Sequence, residues 1–94
     1  MATEILAPGT APANSADITV NVGSPVNVGA FRDDEQTLEY NFRGLIFRKD
    51  ANGDYNPTNF SLNVDTPNQM LVGAGIYQVR RSGVITKPTG IQIN

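Results

Sequence analysis

Asp17-Ile18-Thr19-Val20-Asn21-Val22-Gly23-Ser24-Pro25-Val26-Asn27-Val28-Gly29 decides the fold class. Ile18, Val20 and Val22 alternate with Thr19 and Asn21, which is the period of a strand with one buried face. Gly23-Ser24-Pro25 breaks the pattern, and Val26 and Val28 resume it around Asn27. The tetrad Val-Asn-Val-Gly therefore occurs twice, at 20–23 and 26–29. Two consecutive strands joined by a tight turn explain the duplication. A solenoid does not, because a spacing of six residues is too short for a structural repeat.

Downstream, Arg32 to Glu39 is polar and acidic, a solvated loop or a helix of one or two turns. Tyr40 to Lys49 predicts a central strand. Tyr40 and Phe42 share one parity, while Leu45 and Phe47 fall on the other after Gly44. A bulge at Gly44 that shifts the register accounts for this more cheaply than a strand buried on both faces. Asp50-Ala51-Asn52-Gly53-Asp54 carries the Asn-Gly hairpin signal. Tyr55 begins a return segment interrupted by Pro57, and Phe60, Leu62 and Val64 alternate with polar residues. Met70 to Val72 is a short apolar piece. Ile76 to Arg81 is a strand with Tyr77 and Val79 on one face. Ser82-Gly83 turns into Val84-Ile85-Thr86, and Ile91-Gln92-Ile93 ends the chain as a short strand or tail. Ten asparagines and nine glycines punctuate these pieces. The fold class is all-β, a small antiparallel sandwich or barrel of about seven or eight short strands.

Upstream, residues 1–16 contain five alanines, with Pro8 and Pro12 favouring an extended path. They read as an extended N-terminal arm preceding a domain over 17–94. An arm of this composition has no core of its own, so a neighbouring subunit is the natural partner to hold it.

Composition narrows the function. At 94 residues there is one domain, and one this small buries only roughly 60–65% of its unfolded surface. Disulfides, a metal or oligomerisation usually supplement such a core. There is no cysteine and no histidine, which removes disulfides, thiolate sites, the commonest metal ligand and every catalytic arrangement built on those residues. Association is then the expected supplement, and no cofactor is expected. The formal charge of −2 and low pI argue against a nucleic-acid partner. Apolar runs stop at triplets such as Leu45-Ile46-Phe47, so no membrane span or leader is expected.

The constellations that could carry chemistry have plainer readings. Asp50, Asn52 and Asp54 imitate the first three positions of a calcium loop. Gly53 stands two positions early, however, and Ser61 occupies the place of the bidentate acid; a hairpin turn is preferred. Asp33, Asp34 and Glu35 form a solvated acidic run with no cleft. Arg80 and Arg81 point to opposite faces of a strand, so at most one joins a basic patch with Arg43, Arg48 and Lys49. Tyr40 and Tyr77 read as core, and Tyr55 as a surface residue. No catalytic set emerges, and the chain reads as a non-enzymatic binding domain.

Three stretches carry a resemblance. They are Ser15 to Val20 with Gly23 to Gly29, Arg48-Lys49-Asp50 leading into Gly53-Asp54-Tyr55, and Gly73 to Arg81. Together they resemble small structural proteins of tailed-bacteriophage virions, of the capsid decoration or cement type. The resemblance implies a chain made in the host cytoplasm and placed on the capsid surface. It implies binding to the major capsid protein or another virion protein, as a homo-oligomer with a trimer favoured. A tail, neck or fibre-base component is the alternative within the particle; a free carbohydrate- or receptor-binding module is the alternative outside it. The expected contact residues are Ile5, Leu6, Ala7, Pro8 and Pro12 of the arm, with Ile91 and Ile93 at the C-terminus.

Overall fold

The computed structural model describes residues 2–94. Sheet I contains β1 (Thr3–Gly9), β4 (Val26–Arg32), β7 (Asn68–Leu71) and β9 (Thr89–Ile93), in the order β1-β9-β4-β7. Sheet II contains β2 (Ala13–Asn14), β3 (Ile18–Val20), β5 (Arg43–Lys49), β6 (Tyr55–Leu62) and β8 (Gly75–Ser82). Its order is β2-β8-β5-β6, with β3 also on β8. All pairings are antiparallel. The molecule is an all-β sandwich, and the alternating residues form its filling. Ile18, Val20, Ile46, Leu62, Tyr77 and Val79 face Val28, Leu71 and Ile91, with Leu38, Phe42 and Ile85 closing the core from the loops.

The duplicated tetrad turns a corner between sheets. Ser24 N–H donates to the Asn21 carbonyl (3.0 Å). Val20 ends in sheet II and Val26 begins in sheet I. Each copy buries a valine in the same core from opposite sides, and Val22 at the corner is exposed.

Gly44 is not a bulge. It lies on the buried face between Phe42 and Ile46, all three inaccessible. A Cβ at this position would come within 3.1 Å of Leu62 and 3.3 Å of both Phe42 and Val79. Glycine leaves room for the Phe42 ring to fold back over its own strand, where a Cβ would crowd it. Leu45 and Phe47 accordingly point outward, and Tyr40 lies before the strand in an exposed turn rather than in the core. The register shift falls opposite, where β6 carries extra residues between Pro57 and Ser61. Pro57 does not interrupt that strand, because β6 is an edge of its sheet. The hairpin at 50–54 forms with Gly53 at φ 86°, while Asn52 keeps a negative φ. Val84 to Thr86 is a bend, not a strand, although Ile85 still reaches the core.

The boundary at residue 16 has no counterpart in the fold. The first residues do run extended, but they are held by their own domain. β1 pairs with β9, and β2 with β8. Ser15 N–H donates to Val79 O (2.8 Å), and Ala16 N–H to Ile5 O (3.0 Å). Arg81 is the fastening. Its side chain, only 6% exposed, points inward from β8. Nε donates to Ala11 O (2.8 Å), and Nη1 to Ala7 O (2.9 Å) and Thr89 O (2.7 Å). One guanidinium thus ties sheet II to β1, β9 and the crossing segment between β1 and β2. Burial pulls its pKa below the ordinary arginine value, and carbonyl dipoles take the place of a carboxylate partner.

Candidate interaction surface

The outer face of sheet II follows from the strand period. Since Tyr77, Val79 and Arg81 point inward, Ile76, Gln78 and Arg80 point out. Since Gly44 and Ile46 are inward, Leu45, Phe47 and Lys49 are outward. The register sets Arg80 opposite Leu45 and Gln78 opposite Phe47, and across the other side Lys49 opposite Tyr55.

These side chains stack. The Arg80 guanidinium carbon lies 4.1 Å from the Phe47 ring centroid and 5.4 Å from that of Tyr55. The Lys49 ammonium is 5.6 Å from the Tyr55 ring. Each such contact contributes about 0.5–1 kcal/mol at an exposed site. Arg80 Nε donates to Gln78 Oε1 (3.0 Å), and the Tyr55 hydroxyl donates to Asp17 Oδ1. That bond raises the phenol pKa above its ordinary value, so Tyr55 stays neutral and pinned. Beside the stack, Leu45 is 41% exposed. Pro12, Ala13, Asn14, Leu45, Phe47 and Arg80 border a shallow groove of about 420 Å³. Aromatic rings and an arginine held together on a sheet face are side-chain types enriched at binding interfaces.

The basic residues divide. Arg43, Lys49 and Arg80 belong to this outer face. Arg48 has the inward parity and caps the end of the sandwich, donating to Ala74 O and lying over the Tyr77 ring. Arg81 is the buried fastening.

The acidic residues organise loops. The Asp50 carboxylate accepts from Asn56 Nδ2 (2.9 Å), Asp54 N–H (3.0 Å) and Asn52 N–H (2.9 Å), which lowers its pKa. Arg32 clamps Asp34, with Nε 2.8 Å from Oδ1, and holds that carboxyl below its ordinary range. Asp33, Asp34 and Glu35 are exposed, next to a cavity of about 510 Å³ between the 35–38 loop and Phe31. Glu39 accepts from Lys87 N–H (3.0 Å), Thr86 Oγ1 (2.7 Å) and Thr86 N–H (2.8 Å). These bonds latch the 83–88 bend to the loop before β5 and lower the carboxyl pKa.

The contact residues expected at the termini are drawn largely into the domain's own strands. Ile91 is completely buried in β9 between β1 and β4, and Ile5, Leu6 and Ile93 pack against the core. Pro8 is half-buried in β1. Ala7 is exposed, but its carbonyl serves Arg81. Pro12 alone of these residues borders the outer-face groove. The physical reason is that β1 and β9 satisfy one another within the chain. Leu45, Phe47 and Arg80 carry no local signal that sets them outward, because large apolar residues stand on both parities of β5.

No family model, curated protein or solved structure matches this chain.

Proposed function

We propose that this chain is a structural protein of a tailed-phage particle, a capsid decoration protein. In this reading it binds the major capsid protein or another virion protein on the capsid surface, as a homo-oligomer, a trimer, and carries out no catalysis. The stacked, partly apolar outer face of sheet II is the observation that supports a binding role. The resemblance at Ser15–Val20, Gly23–Gly29 and Gly73–Arg81 supports the particle. The outer face of sheet II is then taken as the docking surface, since Ile91 is buried and Ile5, Leu6 and Ile93, partly buried, pack against the core of their own domain.

Copy number in purified particles tests the reading, measured by quantitative mass spectrometry. Hundreds of copies commensurate with the shell lattice are expected. A few to a few tens would move the protein to the neck, tail or fibre base. Absence from the particle would overturn the proposal and leave a free receptor-binding module. That second reading has one observation in its favour: Tyr40 and Val84 are 78% and 83% exposed on the two loops that Glu39 latches together.

A further inference from the structure

We infer that the outer face of sheet II takes an acidic, aliphatic segment of another protein chain, with a partner carboxylate on Arg80 and an aliphatic side chain in the groove beside Leu45. This rests on the outer face being the docking surface and adds the chemistry of what docks there.

Charge complementarity selects the occupant. The chain carries a formal charge of −2, yet this face gathers Arg43, Lys49 and Arg80. Its one carboxylate at the stack, Asp17, is engaged by the Tyr55 hydroxyl. The acids of the 50–54 turn lie beyond Lys49, at the opposite end of β5 from Arg43. Arg43 turns onto the Tyr40 and Phe42 carbonyls beside Asp65, so Arg80, over Phe47, is the cation this face presents next to the groove.

Arg80 is prepared for a planar anion. Phe47 and Tyr55 lie against its guanidinium and Gln78 fixes Nε. Among the described residues, neither terminal nitrogen of Arg80 has a hydrogen-bond partner. An arginine with its plane held and its outer N–H groups unspent matches a carboxylate bidentately, with little further loss of side-chain freedom. Leu45 stands directly across the strand pair from Arg80, and directly paired side chains sit about 4.5–5.5 Å apart. An acid and an aliphatic residue within two positions of each other in the partner would meet both.

The test is NMR titration of the full-length, ¹⁵N-labelled protein with an acetylated, amidated peptide of alternating aspartate and leucine flanked by Gly-Ser. One control replaces the aspartates by lysine and another replaces the leucines by serine. Saturable shifts are expected at Asn14, Leu45, Phe47 and Arg80, with both controls and Arg80→Gln weaker by at least about tenfold, since a charge-assisted hydrogen bond contributes about 1.5–3 kcal/mol. Thermal melts of Arg80→Gln establish that it remains folded. Equal responses to the aspartate and lysine peptides, or none at millimolar peptide, would overturn the inference. Shifts at the same residues that follow protein concentration alone would also overturn it, identifying a second copy as the occupant. Particle copy number tests the virion reading separately, so failure of one does not imply failure of the other.

Discussion

Replacing Arg81 by methionine tests the central energetic claim about the fold. The substitution keeps much of the aliphatic stem and removes the charge with its three bonds to Ala7 O, Ala11 O and Thr89 O. A hydrogen bond to a charged group contributes about 1.5–3 kcal/mol net, so three would sum to roughly 5–9 kcal/mol. That sum is an upper bound. Ala7 and Ala11 are exposed, and their carbonyls can turn to water, whereas Thr89 is fully buried and its carbonyl loses its side-chain donor. Relief of the guanidinium's own desolvation offsets part of the loss. A destabilisation of about 3–5 kcal/mol is the expected balance, below the sum of the three charge-assisted bonds because two of the carbonyls rehydrate. Against a total of about 5–15 kcal/mol for a domain, this is severe. Urea unfolding followed by circular dichroism should show a large fall in midpoint, and the melting temperature should drop by at least about 12 °C, at about 4 °C per kcal/mol. Hydrogen exchange should locate the loss in β1 and β9. Arg80→Gln, one residue away and facing out, loses two exposed ring contacts and should cost no more than about 2 kcal/mol. If Arg81→Met melted within about 1 kcal/mol of the parent, the carbonyl cage would be incidental and the account of how the N-terminal segment is held would be wrong.

Two further outcomes are expected. Deleting residues 2–9 removes β1 and its core-packed Ile5 and Leu6, uncovers β9 and strips Arg81 of an acceptor; the truncated chain should lose cooperative thermal unfolding, and retention of a parent-like melt would return these residues to the status of a detachable arm. The Glu39 latch predicts an acid-sensitive end of the sandwich. Because the folded carboxyl titrates below its ordinary value of 4.5, its contribution is present above that pH and is lost as pH falls through the depressed folded value. Protection of the Thr86 and Lys87 amides, taken relative to their intrinsic exchange rates, should fall over that acidic window, and Glu39→Gln should leave the protection of those two amides independent of pH there.

The β class was readable because alternation is local: Ile18-Thr19-Val20 and Tyr77-Gln78-Val79 expose their period to inspection one strand at a time. The outward parity at 45–47 was not readable in the same way. Large apolar residues occupy both faces of that strand, with Phe42 and Ile46 on one and Leu45 and Phe47 on the other. Local pattern cannot say which face a second sheet will cover. The arm misled for a related reason. Alanines and prolines specify an extended backbone, but not what the extended backbone pairs with.

By itself, then, the sequence determined the strand class, the turns at Gly23 and Gly53, and a chain without histidine or cysteine. Tertiary structure decided everything that depends on contact between residues far apart in the chain. It set β1 beside β9 and turned the duplicated tetrad into a corner. It also gave two adjacent arginines opposite fates. Strand geometry requires Arg80 and Arg81 to face apart, but only the packing of sheet I over one face makes Arg81 a buried fastening and leaves Arg80 stacked and unspent on the other.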